Sequence, residues 1–385
     1  MDTGSPGRVR ESEMILEWNP GSLSPLRAPV ERSMLLKIEG LTRSSEGTGG
    51  QGRAPSNQRQ TLGQALWGGL INVVLRRPVL AIFQACLRCN SSCGYCNLPL
   101  NVGRYEMSRE EIQRVFTGLY RDGLRFVFVQ GGEPLLRRDF PEILGDLVQI
   151  GFHATLITNG TKLTANLVQR FDDLSVSMSV SLDTLNRARY QQIRGADQLD
   201  QVLAGLELLQ HYRHPKFITC IVSEVNRDEV SDVVRFACLR GFLPVVGAYH
   251  WDVGLYGKQD LALMYERRKA SWVFERLLAE DAIPPGYLRQ YTKDNVTWLS
   301  GGTLRRCDAG RYSIAIDASG NVAPCLALPN AGNLLESSLG EILARFNRQE
   351  IQHCSDQSSC NRLDGRVIGS VLRHPITAWR TPVPW

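Results

Sequence analysis

The chain has 385 residues, of which 43% are hydrophobic, so it can bury a large core as two domains or as one domain with appendages. Its net charge of +5 is small for this length and indicates no nucleic acid or other polyanionic partner. Ten cysteines are too few for a disulfide-dense scaffold, and the sequence shows neither a signal-peptide pattern nor a run of about 18 apolar residues. A cytoplasmic location is therefore expected.

The N-terminal part divides into two segments of different composition. Residues 1–60 are rich in Ser, Gly, Pro and Arg and are predicted to be mostly disordered. Residues 61–78 have the apolar spacing of an amphipathic helix, which two arginines and Pro78 end. We expect this helix to pack on the core. The alternative is that residues 64–78 make a weak contact with a membrane surface or a lipidic substrate.

From residue 79 to about 250, short β-branched runs alternate with helical patterns, as is typical of a parallel sheet with helices outside. The strand candidates are Val79–Gln84, Phe126–Gln130, Ala154–Thr158, Val176–Leu182, Phe217–Ser223 and Leu243–Ala248. Helical patterns lie near 108–121, 139–150, 163–171, 199–211 and 227–239. The predicted fold class is α/β, with a partial (β/α)6 TIM-like barrel over residues 79–250. Chemistry is then expected at the carboxyl ends of the strands.

The C-terminal third of the chain changes character. Residues 251–304 are predicted to be a helical connector. Residues 305–363 contain short strands and turns and are predicted to form a small β-hairpin/helix module, with strands at Tyr312–Ile316 and Val322–Pro324. Residues 364–385 are interpreted as a tail.

Four cysteines lie within eleven residues at the end of the first predicted strand. Cys89, Cys93 and Cys96 have the spacing C-x3-C-x2-C, and three thiolates can hold three irons of a [4Fe–4S] cube while the fourth iron has no protein ligand. Such an open coordination position distinguishes a reactive metal site from a structural one. Cys86 leaves an alternative, a closed ferredoxin-like or zinc site with four ligands. We interpret Cys86 as a packed thiol and favour the open cluster.

The loop resembles the signature of radical S-adenosylmethionine (SAM) enzymes, in which an aromatic residue, here Tyr95, precedes the last cysteine. Three further motifs similar to those of that family, QGGEP, ITNG and SVSLD, follow in order at the ends of predicted strands. The resemblance implies that QGGEP receives the methionine amino group of SAM and that SVSLD contacts its ribose and carboxylate. The cofactor-binding residues so implied are Tyr95, Gly131, Gly132, Glu133, Pro134, Thr158, Asn159, Ser181 and Asp183.

The chemistry of these residue types is compatible with those roles. Glycines at positions 131 and 132 let the backbone approach a ligand closely. The carboxylate of Glu133 can accept charge-assisted hydrogen bonds from an ammonium group, and Tyr95 offers a flat apolar face to an adenine ring. Each residue alone would be an ordinary turn glycine, solvated carboxylate or core aromatic. Four motifs in order favour the functional interpretation.

A second set of cysteines lies in the C-terminal region, namely Cys307, Cys325, Cys354 and Cys360. The predicted hairpin brings the first two together. The region resembles the SPASM and shorter twitch modules that follow many radical SAM barrels, which implies a second [4Fe–4S] cluster with four cysteine ligands. A structural zinc site is the alternative. Outside both sets, Cys220 and Cys238 are predicted to be buried free thiols, and His353 a surface residue.

The resemblance implies a radical SAM enzyme, an oxidoreductase or modifying enzyme that cleaves SAM reductively to a 5′-deoxyadenosyl radical and abstracts a substrate hydrogen. The second cluster would then move electrons, and a flavodoxin or ferredoxin would supply them. The substrate could be a peptide, a sugar, a cofactor precursor or a lipid, and no catalytic acid or base is identified. Alternatives are an enzyme like the molybdenum-cofactor cyclase and a non-catalytic iron–sulfur electron carrier.

Overall fold

The structure is a computed structural model that describes residues 69–251 and 258–374. The predicted disordered segment 1–60 lies outside the described residues, as do the first part of the predicted helix 61–78 and the end of the predicted tail. The molecule is therefore described from the end of that helix to the end of the C-terminal module.

Six parallel strands form the barrel sheet, and each pairs with the next along the chain. They are β1 (Leu80–Gln84), β2 (Phe126–Gln130), β3 (His153–Thr158), β4 (Ser177–Ser181), β5 (Lys216–Val222) and β6 (Leu243–Ala248). The prediction of a partial barrel is confirmed, and all six predicted strands are present with ends shifted by at most one residue. β-Branched and aromatic residues are frequent in these strands, and along each strand residues that pack against the outer helices alternate with residues that face the inside of the barrel.

The helices of the barrel and the connector follow in chain order. They are α1 (residues 69–74), α2 (Arg109–Arg121), α3 (Phe140–Ile150), α4 (Ala165–Asp173), α5 (Arg187–Arg194), α6 (Leu199–Leu208), α7 (Val230–Leu239), α8 (Arg267–Ala279) and α9 (Tyr287–Leu299). Helix α5 was not predicted, because its sequence RARYQQIR is short and mostly polar. Its apolar anchors are only Tyr190 and Ile193, which are both fully buried.

Helix α2 shows how the local sequence fixes one of these elements. Ser108 caps its N-terminus, and the side chain of Glu111 accepts a hydrogen bond from the backbone N–H of Ser108 at 2.8 Å, which completes a capping box. Three and four residues apart, Ile112, Val115 and Phe116 form the buried face. The ring of Phe116 packs on Phe83 of β1 at a centroid distance of 4.9 Å, which holds the helix against the sheet.

The C-terminal module is joined to the barrel through its backbone. Its strands are β7 (Ser313–Ile316), β8 (Asn321–Ala323) and β9 (Gly332–Asn333), and its helices are α10 (Leu339–Ala344), α11 (Arg348–Asp356) and α12 (Val367–Arg373). Strand β7 pairs in parallel with β1, so one nine-stranded sheet runs in the order β6-β5-β4-β3-β2-β1-β7-β8-β9. The predicted hairpin is confirmed, and it extends the barrel sheet.

The described part of the predicted tail is folded. Residues 367–373 form α12, and Val367 and Ile368 are buried. Arg373 pairs with the buried carboxylate of Asp308 at 3.0 Å, which ties the helix to the start of the module. Interpreting residues 364–374 as a tail was therefore wrong, because a seven-residue helix with only four apolar positions gives a weak sequence pattern.

Helix α1 contradicts the expectation that its apolar face packs on the core. Leu70, Ile71 and Val74 are 43%, 64% and 72% exposed, whereas the polar Asn72 is only 5% exposed. The amide of Asn72 donates to Pro78 O at 2.8 Å and to Asp122 O at 2.9 Å, so its burial costs no hydrogen bond. Among residues 69–251 and 258–374, none of the helices is long and apolar enough to cross a membrane.

Candidate active site

The first cysteine loop, residues 85–97, follows β1 and lies at the carboxyl end of the barrel sheet. The backbone N–H of Ala85 donates at 2.7 Å to the carbonyl of the last residue of β2. On the other side, Ser92 N and Gly94 N donate at 3.0 Å to the last two carbonyls of α5. Because helix C-termini leave carbonyls without intrahelical donors, the unpredicted helix α5 is a ready support for this loop.

The three thiols of the predicted open cluster lie within this loop. Cys93 is buried, and Cys89 and Cys96 are half-buried. Burial raises the pKa of the Cys89 thiol to about 11 and also raises the pKa of Cys96, with the nearby Cys93 contributing to both. Such thiols carry protons at neutral pH, so iron binding must release them.

Cys86 is engaged in a different way. Its side chain is buried, and its sulfur donates to the backbone carbonyl of Glu133 at 3.3 Å and lies 3.7 Å from that of Arg88. Burial raises the pKa of this thiol to about 12. The interpretation of Cys86 as a packed thiol agrees with this geometry.

The two glycines of QGGEP contact the cysteine loop, whereas the sequence suggested that they approach a ligand. Gly132 N donates to Cys86 O at 2.9 Å, and Glu133 N donates to Arg88 O at 2.8 Å. A Cβ added at Gly131 would lie 2.6 Å from Cys86 O, and one added at Gly132 would collide with Arg88 O. Both positions need glycine because the β1 and β2 loops are packed backbone to backbone.

The sequence-based prediction requires that the carboxylate of Glu133 face a ligand. In the structure it faces the protein interior instead. Its side chain is fully buried, and both oxygens already accept hydrogen bonds. The donors are Thr158 Oγ1 and Asn159 N at 2.7 Å each and Leu135 N at 3.1 Å. Burial raises the pKa of Glu133. Glu133 therefore connects the QGGEP and ITNG motifs, and Asn159 extends the connection to Asn90 of the cysteine loop at 2.8 Å.

Asp183 is also an internal residue, although a contact with the ribose or carboxylate of SAM was expected of it. Its fully buried carboxylate accepts from Tyr95 Oη at 3.0 Å, from Ile221 N at 2.8 Å, and pairs with Arg194 Nε at 2.8 Å. Arg194 Nη1 lies 4.0 Å from the sulfur of Cys93, so a buried positive charge adjoins the cysteine loop. Burial alone lowers the pKa of Arg194, but Asp183 and its other neighbours raise it well above the usual value.

Sequence reasoning did not find Arg194. A charged residue that is buried cannot be recognised from the hydrophobic periodicity of its helix. The one sequence feature that marks the position is an arginine followed by a glycine a short distance after SVSLD. Ser181 is half-buried at the end of β4, and Pro134 is buried at the start of a short 3₁₀ turn (Pro134–Leu136).

A cavity of about 410 Å³, here called the barrel cavity, lies inside the barrel. Side chains from all six barrel strands line it at alternating positions, as the pleat requires. Tyr95, Cys96 and Gly131 border it from the cysteine loop and the glycine motif. The connector helix α9 and the module residues Arg362 and Asp364 also form part of its wall. Of the predicted SAM-binding residues, Tyr95 and Gly131 are thus the ones that reach the barrel cavity.

The second cysteine set is brought together around the hairpin and α11. Burial raises the pKa of Cys325 and of Cys360 to about 12 each, and Cys307 raises both values further. Cys354 likewise raises the pKa values of Cys307 and Cys360, so Cys307 and Cys360 each lie within electrostatic reach of other thiols of the set. Among residues 69–251 and 258–374, no group of three His, Cys, Asp or Glu side chains is arranged to hold a single metal ion. A [4Fe–4S] cube has a different requirement, because its four thiolates bind four separate irons.

Hydrogen bonds from the barrel and the connector hold the second cysteine loop. Asn361 N donates to His250 Nε2 at 3.1 Å, and Tyr291 Oη donates to Asn361 O at 3.0 Å. Trp298 Nε1 donates to Ser358 O at 2.9 Å. Burial lowers the pKa of His250 to about 3, so its ring is neutral and can accept this bond at physiological pH.

The cysteines outside both sets have different environments. Cys220 is buried, as predicted. Cys238 is exposed, so the prediction of a buried thiol was wrong there: it lies on the outer face of α7, whose buried positions include Val234 and Ala237. His353 is exposed, as predicted.

Comparison with known families gives two matches along the chain. The Radical SAM superfamily matches residues 85–237, and the SPASM iron–sulfur cluster-binding domain matches residues 307–362. The first match contains the cysteine loop and the glycine motif, and the second contains all four cysteines of the C-terminal set.

Among curated proteins, a probable GTP 3′,8-cyclase of Pyrococcus abyssi is 36% identical over 152 residues, which is 39% of this chain and 49% of that protein. The AdoMet-dependent heme synthase of Methanosarcina barkeri is 27% identical over 289 residues, covering 69% of this chain and 82% of that protein. The chain thus spans about half the length of the cyclases that it matches.

Among solved structures, Streptococcus suis SuiB bound to its precursor peptide SuiA superposes with a TM-score of 0.58 at 16% identity. The superposition covers 83% of this chain and 76% of that chain. At this identity the similarity shows a common fold.

Proposed function

The chain belongs to the radical SAM superfamily, and we propose that it cleaves SAM reductively and uses the resulting radical to abstract a hydrogen atom from a substrate. Its radical SAM domain binds a [4Fe–4S] cluster and SAM, and its SPASM domain binds further iron–sulfur. The observation that supports the proposal best is the geometry of the first cysteine loop. Three thiols are available there, while the fourth is bonded to backbone at 3.3 Å.

The residues present fit a cluster with one open iron. Cys89, Cys93 and Cys96 would be its ligands, and Cys86 would stay a packed thiol. When bound, the cluster would supply one electron for cleavage of the C5′–S bond of SAM to methionine and the 5′-deoxyadenosyl radical, and this radical would take the substrate hydrogen.

The chain's own residues position that chemistry. The carboxylates of Glu133 and Asp183 fix the loops around the cluster, and Arg194 places a positive charge beside Cys93. We propose that SAM is held at the edge of the barrel cavity by the backbone at Gly131 and by the ring of Tyr95. Gly132 lies in the same loop as Gly131, whereas Thr158, Asn159 and Ser181 lie at the carboxyl ends of β3 and β4 and support that edge.

The second cluster would have Cys307, Cys325, Cys354 and Cys360 as ligands and no open position. A fully ligated cluster cannot bind substrate through iron, so its role is electron transfer, such as accepting the electron of a substrate radical. This favours oxidation or modification of the substrate. Radical SAM enzymes need an electron donor, and a flavodoxin or ferredoxin is the proposed partner.

A cyclase-like activity is the second candidate, favoured by the 36% identity to a probable GTP 3′,8-cyclase. That match covers only 39% of this chain, so it leaves the greater part of the chain without support for a cyclase. The interpretation as a non-catalytic electron carrier is not supported, because a carrier has no use for a SAM-binding domain.

The test is SAM cleavage by anaerobically reconstituted, dithionite-reduced protein, measured as 5′-deoxyadenosine and methionine by mass spectrometry. Replacing Cys89, Cys93 or Cys96 by Ala is expected to abolish both products. Cys86→Ala is expected to retain them, and the exposed Cys238→Ala serves as the matched control. Loss of cluster and cleavage in Cys86→Ala would overturn the assignment in favour of a four-cysteine site.

A further inference from the structure

The wall of the barrel cavity is mostly apolar, but it contains one ion pair. Among the described residues that line it, the formally charged side chains are Arg362 and Asp364, which both come from the loop after Cys360. His250 also borders the cavity, but it is neutral because burial lowers its pKa to about 3. The cavity therefore has a charged end at the module. Along the strands its wall is mainly apolar, with the uncharged polar side chains of Gln84, Gln130, Thr155, Ser179 and Thr219 among the apolar ones.

The guanidinium of Arg362 lies near the charge of Asp364 and the thiols of Cys360 and Cys325, but few of its N–H groups are hydrogen-bonded. Its Nε lies 3.3 Å from Asp364 Oδ1, which is longer than the 2.7–2.9 Å typical of such charged pairs. Its Nη nitrogens form no hydrogen bond or ion pair with the part of the chain that the structure describes, and the side chain is 25% exposed. Four N–H donors of this cation are thus open to a ligand.

Asp364 does not supply the hydrogen bonds that Arg362 lacks. Its Oδ2 is buried and has no hydrogen-bond partner among the described residues. A cation and a carboxylate that are both under-satisfied in an apolar wall are unfavourable in the empty cavity, and a bound oxyanion would relieve the cation. Planar guanidinium groups bind such oxyanions with two parallel hydrogen bonds.

We propose that the substrate of this site is an apolar molecule that carries an oxyanion, a carboxylate in the simplest case, and that the Nη edge of Arg362 binds it. The apolar body then lies along the strand side chains such as Ile221 and Val245, toward Tyr95 and Cys96. This inference rests on the proposed function, since it treats the barrel cavity as the place where SAM and substrate meet.

Two probes test it because they share one apolar body and differ in charge. 8-Anilinonaphthalene-1-sulfonate carries an oxyanion, and N-phenyl-1-naphthylamine is its uncharged counterpart. Their dissociation constants are measured by calorimetry on the anaerobically reconstituted full chain. Arg362→Gln is expected to weaken the sulfonate about tenfold and to leave the neutral probe within about twofold, because hydrogen bonds to a charged group are lost. The exposed Arg348→Gln is the matched control, with no change for either probe.

A second variant is expected to raise the affinity for the sulfonate instead of lowering it. Asp364→Asn removes the competing carboxylate and is expected to tighten the sulfonate about threefold without affecting the neutral probe. Ile157→Trp fills the cavity and is expected to abolish binding of both probes. Iron content and melting temperature are compared for all variants, since Arg362 follows Cys360 by two residues.

Equal weakening of both probes by Arg362→Gln, or no weakening of the sulfonate, would overturn the inference. Retention of both probes in Ile157→Trp would also overturn it, because the cavity would then not be the site for apolar anions. None of these measurements requires SAM cleavage. Failure here is therefore separate from failure of the proposed function, which shows as missing 5′-deoxyadenosine.

Discussion

The two cysteine sets contain the same ligand type but differ in number and in surroundings. The first set leaves three thiols available on a loop whose last member, Cys96, borders the barrel cavity. The second set offers four thiols, and its loop is held by His250, Tyr291 and Trp298 through hydrogen bonds of about 3 Å. None of these four thiols lines the barrel cavity in the described part of the chain.

This difference shows how a fold gives one kind of thiolate two uses. A site with a missing ligand beside a cavity can bind and activate a small molecule, whereas a cluster with four protein ligands can only exchange electrons. The sequence does contain a fourth cysteine beside the first set. This cysteine is Cys86, and its thiol donates a hydrogen bond to the backbone carbonyl of Glu133.

The largest expected effect separates the two sets by metal content. Two cubes require about eight irons per chain, and the Cys89/Cys93/Cys96→Ala triple variant should retain about four, held by the C-terminal set. Elemental analysis and Mössbauer spectroscopy after anaerobic reconstitution measure this. Stoichiometric zinc without iron in the triple variant would mean that the second set is a structural zinc site.

The next largest effect concerns the buried charge beside the first set. Arg194→Met leaves the carboxylate of Asp183 buried without its cation, which typically costs about 3–5 kcal/mol in the free energy of unfolding. The double variant with Asp183→Asn should recover part of the loss. Chemical denaturation measures both, and Arg187→Met, an exposed arginine on the same helix, should change little. Equal effects of Arg194→Met and Arg187→Met would contradict the buried-pair interpretation.

A smaller effect, dependent on pH, concerns the second set. The folded-state pKa of His250 is about 3, below the ordinary 6.5, so its contribution to stability is present above pH 6.5 and is lost as the pH falls toward 3. Between pH 7 and pH 5 the loss should reach up to about 2 kcal/mol, at 1.36 kcal/mol per unit. The pH dependence of urea unfolding should be flatter by this amount in His250→Gln. The same slope in both proteins would show that the histidine is not kept neutral by the fold.

The smallest effect tests the edge of the cavity. Tyr95→Phe removes the hydrogen bond to Asp183 but keeps the ring, so stability should fall by about 1 kcal/mol while the Kd for SAM changes less than about threefold. Tyr95→Ala should weaken SAM binding much more, as equilibrium dialysis with labelled SAM can show. If both variants bound SAM equally, the ring would have no role in holding the adenine.

The sequence predicts the barrel and the ligand sets because both depend on local patterns: β-branched runs at regular intervals, and cysteines at fixed spacings. It does not show where a side chain points. Glu133 and Asp183 stand in the expected motifs, yet both carboxylates are turned inward to hold loops together. Nor does it show the buried Arg194 or the inward Asn72, because a single buried polar residue on a helix has no periodic signature.

The pairing of β7 with β1 has a consequence during synthesis of the chain. Leu80 and Ser313 are register partners in this sheet, although more than 230 residues lie between them. The ribosome adds about 5–20 residues per second, so the edge of β1 stays unpaired for on the order of 10–50 s before β7 has been synthesised and can pair with it. During that interval the barrel presents an unpaired apolar strand of the kind that recruits other chains, so chaperones or rapid anaerobic cluster insertion would matter most at that stage.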